Sequence, residues 1–155
     1  MFGQTKALCL SLAFAGAVSA LGNAVVLNNC TFPVTIWSVG SEVSPGTTIK
    51  HGASYDEKFA LDPKTGGRAL KVARDADGLF SGQPQTVFAY SLKTPAIWYD
   101  MSDVFGDAFA GYKLVVGSAD TACPSIVWPK GTPLAGSQVK TCGAEANVTL
   151  TLCAN

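Results

Sequence analysis

The sequence predicts a single all-β sandwich domain, and three observations support this. Its apolar residues fall in short segments, alternating or fully apolar, that are rich in Val, Ile, Thr and aromatic residues, as β-strands require. Turn-forming Gly, Pro and Asp residues separate these segments. No segment has a sustained 3.6-residue period, and several short strands at regular spacing are typical of a sandwich.

Seven segments are predicted as strands. In chain order they are Ala24–Asn28, Val34–Val39, Arg68–Arg74, Thr86–Leu92, Tyr112–Gly117, Ser125–Trp128 and Asn147–Cys153. In the last segment apolar residues alternate with Thr149, Thr151 and Cys153, so we expect this strand to be paired inside a sheet. Trp37 and Trp128 lie inside strand patterns and are expected in the core.

The first twenty residues have the layout of a secretory signal peptide. Lys6 precedes an apolar run, Ala7–Val18, which is too short to span a membrane and is followed by small residues. We expect cleavage after Ala20, with Ala24 as the alternative, which leaves a domain of residues 21–155. No second long apolar run follows, so the mature chain is predicted to be soluble and exported, without a membrane span.

The charge balance of the mature chain excludes one class of partner. Once Lys6 is removed, ten basic and eleven acidic residues remain, and no Lys/Arg cluster could follow a phosphate backbone. Nucleic acid is therefore not expected as a partner. The remaining length of about 135 residues suits one domain with its own core, which we expect to be a monomer.

Four cysteines remain after signal cleavage: Cys30, Cys123, Cys142 and Cys153. An even count in an exported chain predicts two disulfides, and spacing alone leaves all three pairings open. No CxxC pair is present, and the one histidine, His51, lies in a polar turn, so no metal site or cofactor is predicted.

Two glycosylation sequons are present, and export makes both of them candidate glycan sites. One is Asn147-Val148-Thr149 and the other is Asn29-Cys30-Thr31. Asn29 is the weaker candidate because its neighbour Cys30 is expected to be oxidised and packed.

The stretch IWYDMSDVFGDAFAG raises the question of sugar chemistry. It carries three aspartates and two aromatics that could bind a glycan, namely Asp100, Asp103, Asp107, Trp98 and Tyr99. A glycosidase needs two facing carboxyl groups, whereas Asp100 and Asp103 would lie on opposite sides of an extended strand. We interpret the stretch as a solvated turn-capping loop. A glycan-binding loop is the next alternative and a hydrolytic site the last.

Blocks along most of the mature chain resemble thaumatin-like proteins. VVLNNCTFPVTIW resembles the opening strand and hairpin of those proteins, and TVFAYSL and YDMSDVFG correspond to later elements in the same order. With ACPSIVWPKGTP and VTLTLC added, the chain more specifically resembles the small fungal Blastomyces yeast-phase-specific (Bys) family, which includes antigenic thaumatin-like proteins of conidia.

The resemblance implies a thaumatin-type β-sandwich without the disulfide-rich second domain of the plant proteins. It also implies the pairs Cys30–Cys153 and Cys123–Cys142. Family members are exported, are found at or near the cell wall or conidial surface, and are known mainly as antigens or host-contact proteins. The resemblance supplies no defined biochemical activity.

Larger thaumatin-like proteins have an acidic cleft of one Arg, one Glu and three Asp, and this sequence matches it incompletely. The Glu corresponds to Ala89, and no basic residue lies where the Arg would fall. Asp100 matches one Asp. Another corresponds to Phe105, although Asp103 and Asp107 lie within two residues of it.

From these observations we expect an exported, non-enzymatic surface protein of the cell wall or extracellular space. It would act as an antigen or contact protein by binding wall β-glucan or a host surface protein. The alternative is a weak β-1,3-glucan hydrolase that uses Asp100, Asp103 and Asp107.

Overall fold

The computed structural model describes residues 20–155, and the predicted signal peptide, apart from Ala20, lies outside them. These residues form eleven strands in two sheets, without a helix in that range. The strands are β1 (Asn23–Asn28), β2 (Val34–Val39), β3 (Thr47–Ile49), β4 (Ser54–Lys58), β5 (Arg68–Ala73), β6 (Gln85–Lys93), β7 (Ala96–Val104), β8 (Leu114–Gly117), β9 (Ile126–Trp128), β10 (Lys140–Gly143) and β11 (Val148–Leu152).

The two sheets form the predicted sandwich. The first sheet has the order β4-β1-β11-β8-β9 and the second has the order β10-β7-β6-β5-β2-β3. Strands β1 and β11 pair in parallel, and every other named pair is antiparallel. The terminal strand β11 lies inside its sheet between β1 and β8, as its regular alternation predicted.

All seven predicted strands are present, and four further strands were missed. Three of these, β3, β4 and β10, are short and mostly polar. The fourth corrects an interpretation: the stretch from Ala96 to Val104, taken above as a loop, is the nine-residue strand β7. Ile97, Tyr99 and Met101 are buried on its inner face, while Trp98, Asp100 and Ser102 lie on the other face.

Both tryptophans predicted in the core are buried, but in different places. Trp128 is fully buried and packs in the cluster between the sheets. Trp37 is 2% exposed and, by the alternation of β2, points to the outer face of the second sheet. Gly46 covers it there so closely that a Cβ at this glycine would lie 2.7 Å from the indole nitrogen.

Two disulfides are formed, with the pairing that the family resemblance implied. Cys30 and Cys153 follow the paired strands β1 and β11, so their bridge ties the ends of the parallel pair together. Cys123, in the β8–β9 loop, is joined to Cys142 on the edge strand β10 and thereby links the two sheets.

The strand directions bring three loops together at one end of the sandwich, which we call the loop end. It comprises the β1–β2 loop (residues 29–33), the β5–β6 loop (74–84) and the β7–β8 loop (105–113). The phenyl ring of Phe32 in the first loop contacts Arg74 in the second and Tyr112 in the third. Within residues 20–155, no helix is long and apolar enough to cross a membrane.

Candidate binding site

The five predicted glycan-binding residues do not form one cleft, because β7 divides them between its two faces. Trp98 and Asp100 lie on the outer face of the second sheet. Tyr99 lies on the inner face, as does Asp103 at the end of the strand, and Asp107 follows in the β7–β8 loop. Alternation along an extended strand causes this separation, as the sequence spacing of Asp100 and Asp103 predicted.

A shallow cavity of about 240 Å³ lies on the outer face, and we call it the outer pocket. Trp98 is 43% exposed and Val139, just before β10, is 47% exposed. The residues that line the pocket are mostly apolar or aromatic: Ala89, Tyr90, Ser91, Trp98, Tyr99, Asp100 and Val139. Cross-strand pairing sets this arrangement, because Ser91 pairs with Trp98 and Ala89 with Asp100.

Asp100 supplies the one carboxyl group of the outer pocket. It is half-buried, and this burial raises the pKa of the Asp100 carboxyl above its usual value. Directly across from it lies Ala89, the residue to which the family resemblance assigned the Glu of the acidic cleft. Opposed residues on neighbouring strands have Cβ atoms about 4.5–5.5 Å apart, so a Glu at this position would create a carboxyl pair. Because this residue is an alanine, no second carboxyl group faces Asp100 across the two strands.

Tyr99 does not fit the stacking role that the sequence suggested. Its side chain is 2% exposed, and its hydroxyl donates a hydrogen bond to the Pro124 carbonyl. Burial raises the pKa of the Tyr99 phenol. Its ring packs in the core cluster, so Trp98 is the aromatic residue of the outer pocket that can face a ligand.

Asp103 and Asp107 do come together, but at the loop end rather than beside Trp98. Asp103 Oδ1 accepts a hydrogen bond of 2.6 Å from the Thr86 hydroxyl, while Asp103 Oδ2 is buried without a donor. Burial raises the pKa of Asp103 to about 7, and the nearby charge of Asp107 acts in the same direction. Thr86 opposes this by stabilising the ionised form.

A second cavity, of about 350 Å³, lies between the β5–β6 and β7–β8 loops, and we call it the loop-end cavity. Its lining combines charged, polar and apolar residues: Arg74, Asp75, Gln83, Pro84, Asp107 and Ala108. Nothing in the sequence placed Arg74 near these aspartates, since 33 positions separate Arg74 from Asp107 along the chain.

This arrangement provides no evident pair of catalytic carboxyls for glycoside hydrolysis. Such a pair flanks the scissile bond with the two groups about 5–9.5 Å apart. Asp100 and Asp103 lie on opposite faces of the sheet. Asp103 Oδ2 is buried at the loop end, so Asp103 and Asp107 do not face each other across an open cleft. The outer pocket can instead stack a ring on Trp98 and accept hydrogen bonds at Asp100.

Two features of the site were missed from the sequence. Val139 carried no signal, because it joins the outer pocket only when β10 pairs with β7. Phe105 was noted only as a substitution in the acidic cleft, yet its φ of 59° places a non-glycine residue in the left-handed region.

The two sequons differ in how their amide nitrogens are used. Asn147 is exposed, and its Oδ1 accepts a 2.8 Å hydrogen bond from the Asn23 N–H, which leaves the amide nitrogen uninvolved in that bond. The amide nitrogen of Asn29 donates a hydrogen bond of 3.1 Å to the Cys153 carbonyl. Since a glycan is joined to this nitrogen, the geometry favours Asn147.

Comparisons with known proteins place these observations in a family context. The family model described as "Blastomyces yeast-phase-specific protein" matches residues 11–154. An antigenic thaumatin-like protein of Arthroderma benhamiae is 28% identical over 170 residues, which cover 99% of this chain and 85% of the relative. The secreted thaumatin-like protein calA of Emericella nidulans is 27% identical over 172 residues, covering 98% and 97% of the two chains.

Two solved structures share the fold. The protein elicitor MoHrip2 from Magnaporthe oryzae superposes with a TM-score of 0.70 at 25% identity, over 86% of this chain and 99% of that one. The thaumatin-like xylanase inhibitor TLXI superposes with a TM-score of 0.58 at 12% identity, over 84% and 99%. The second likeness concerns the fold alone.

Proposed function

The chain belongs to the Blastomyces yeast-phase-specific protein family, and from this premise we propose that it is an exported, non-enzymatic protein that binds a cell-wall polysaccharide in its outer pocket. One observation carries the proposal: the half-exposed indole of Trp98 stands beside the single carboxyl of Asp100 in a shallow, mostly apolar cavity. The names of two relatives, a secreted and an antigenic thaumatin-like protein, support the extracellular setting.

The chemistry of the outer pocket suits a neutral sugar. The apolar C–H face of a pyranose ring packs against an indole, and its hydroxyl groups donate hydrogen bonds to a carboxylate. Val139 extends the apolar surface beside Trp98, and Ser91 adds a hydroxyl group.

Retention on insoluble polysaccharide tests this proposal. We expect the mature protein to be retained on β-1,3-glucan or on chitin. Trp98→Ala should weaken retention about fivefold or more, because stacking and burial on an indole contribute on the order of 1–3 kcal/mol. Phe80→Ala, which removes another exposed aromatic, is the matched control and should bind like the wild type. Equal losses in the two variants, or no retention of the wild type on either polymer, would overturn the proposal.

Hydrolysis is the competing function and has its own test. We expect no release of reducing sugar from a soluble β-1,3-glucan, because Ala89 faces Asp100 where a second carboxyl would be needed. Reducing-sugar release that Asp100→Asn abolishes would contradict the non-enzymatic proposal.

Export is also part of the proposal, with cleavage after Ala20. Leu21 packs against the core, and the Gly22 N–H donates a hydrogen bond to the Ala144 carbonyl. Cleavage after Ala24 would remove both contacts and the first two residues of β1. Amino-terminal sequencing of the exported protein should therefore begin at Leu21, and a chain beginning at Val25 would refute this assignment.

A further inference from the structure

A row of side chains that crosses three strands surrounds the indole of the outer pocket, and we call it the Trp98 row. Trp98 on β7 pairs with Ser91 on β6 and with Thr141 on β10, so a hydroxyl group lies on either side of the indole. The Ser91 hydroxyl donates a 2.7 Å hydrogen bond to the Gly66 carbonyl, and its oxygen can still accept one from a ligand. A sugar ring stacked on Trp98 would therefore have polar groups at its edges.

The next row along the strands, which we call the Asp100 row, is apolar except for one carboxyl group. Ala89 on β6 pairs with Asp100 on β7. On the other side of Asp100, Val139 directly precedes β10 and lines the same pocket. Val139 is 47% exposed, so the apolar surface beside Asp100 is open to a ligand. Residues two apart on a strand are separated by about 6.7 Å, which is the distance between the two rows.

The Asp100 carboxyl group is available to a ligand. Within residues 20–155 the one ion pair joins Arg68 to Glu57 and does not involve Asp100. Desolvation is the cause of the raised pKa of Asp100, and no hydrogen bond in that range contributes to it. A half-buried carboxylate without a donor is satisfied when a ligand brings an N–H or O–H group to it.

A sugar that carries an acetamido group fits the two rows better than a sugar that carries hydroxyl groups alone. An acetamido group has one N–H donor and an apolar methyl group, and it extends far enough from its ring to reach from one row to the next. The N–H can donate to Asp100 while the methyl group contacts Val139, and the carbonyl stays in water at so shallow a site. A hydroxyl group in place of the methyl would be partly desolvated against an apolar side chain without a partner, which weakens binding.

We infer that the outer pocket recognises the N-acetylglucosamine units of a chitin-type chain, with a sugar ring on Trp98 and its acetamido group between Asp100 and Val139. This inference rests on the proposed function and narrows its ligand from cell-wall polysaccharides in general to acetamido sugars. Ala89 contributes through its small size, because a Glu at this position would fill the space beside Asp100.

Titration with matched oligosaccharides tests the acetamido recognition. The ligands are the β-1,4-linked tetramers of N-acetylglucosamine and of glucose, which differ only in the acetamido group, and the β-1,3-linked tetramer of glucose. Each is added to the ¹⁵N-labelled mature protein, and binding is followed at the Trp98 indole and at the amides of residues 89–91, 97–100 and 139–141. We expect the N-acetylglucosamine tetramer to bind about tenfold or more tightly than either glucose tetramer, because it satisfies Asp100 and also covers Val139 with a methyl group.

Three variants and a control assign this preference to the Asp100 row. Asp100→Ala and Val139→Ser should each reduce the preference for the N-acetylglucosamine tetramer over the β-1,4-linked glucose tetramer about threefold or more, whereas Trp98→Ala should weaken the binding of both. Val127→Ser changes an exposed valine of the other sheet, and as the matched control it should keep the wild-type preference. The unchanged remainder of each amide spectrum shows that a variant is folded.

The outcomes separate this inference from the proposed function on which it rests. Equal affinities for the two β-1,4-linked tetramers, or a preference that survives both Asp100→Ala and Val139→Ser, would overturn the acetamido recognition. If the wild type is then still retained on β-1,3-glucan through Trp98, the proposed function stands without it. No retention on either polymer together with no response to any tetramer would overturn both.

Discussion

Replacing Asp103 by asparagine should change how the stability of the protein depends on pH. Burial raises the pKa of Asp103 to about 7 in the folded protein, against a usual value of 3.8. Between these two values the folded state holds a proton that the unfolded state has released, so the free energy of unfolding falls as pH rises from about 4 to about 7. Asparagine carries no titrating proton, but it keeps an oxygen that can accept from Thr86 and gains an N–H that can donate to Asp107.

The size of the effect follows from the shift in pKa. About three pKa units correspond to about 4 kcal/mol if the carboxyl were fully shielded from water. Asp103 is only about half-buried, and screening by water reduces the expected decline to about 1–2 kcal/mol. A difference of this size lies well within the resolution of denaturant unfolding for a domain of this length.

The assay is urea unfolding at several pH values between 4.5 and 8, for the wild type and for Asp103→Asn. Asp100, whose pKa burial also raises, contributes a decline of the same sign to both proteins, so the difference between the two curves isolates Asp103. Asp62 acts outside this window: hydrogen bonds from Ser41 and Thr65 lower its pKa, and its contribution is lost only as pH falls below about 3.8.

Glu42→Gln removes an exposed carboxyl and is the matched control, which should follow the wild-type curve. If Asp103→Asn retains the full wild-type decline between pH 5 and 8, the assignment of a protonated Asp103 is wrong.

Three further measurements address other parts of the structure. Replacing Cys30 and Cys153 together by serine should cost about 5 kcal/mol, against about 3 kcal/mol for the shorter bridge, because the sequence separations are 123 and 19; equal losses in urea unfolding would contradict this reasoning. Phe105→Asn should raise the free energy of unfolding by about 0.5–1 kcal/mol, because Asn tolerates the left-handed backbone better, and a destabilised variant would show that the ring contributes to folding. Peptide mapping of the exported protein should find a glycan at Asn147 and none at Asn29, whose amide nitrogen is already a hydrogen-bond donor; the reverse pattern would refute the argument.

How much the sequence could predict is clearest at β7. The alternation of Ile97, Tyr99 and Met101 with polar residues was present in the sequence, but three aspartates close together suggested a loop. The polar positions are tolerated in a strand because the outer face of this sheet is partly open to solvent. The alternation of apolar residues that is typical of a strand was present in the sequence. The sequence does not show which face of a sheet will be covered, however, and the strand was therefore missed.

The composition of the site was less predictable than the fold, because it depends on pairing between distant strands. Ala89 lies opposite Asp100 through the register of β6 and β7, and Val139 reaches the outer pocket through the pairing of β10. Arg74 and Asp107 line one cavity only because the β5–β6 and β7–β8 loops share one end of the sandwich. Register and strand order are set by the whole core, so local spacing in the sequence carries little information about these contacts.

The pairing of Ala89 with Asp100 shows how an alanine, in place of the Glu that the family resemblance assigns to this position, changes the chemistry of the outer pocket. Two opposed carboxyls here would repel each other and raise the pKa of one of them, which is the arrangement that acid-catalysed hydrolysis needs. An alanine removes that pair and adds a methyl group to the lining, so the same position becomes part of an apolar surface beside Trp98. This single alanine is the reason that the proposed function of the outer pocket is ligand binding and not hydrolysis. In the proposed function, Trp98 faces the sugar while the second carboxyl that hydrolysis would need opposite Asp100 is replaced by Ala89.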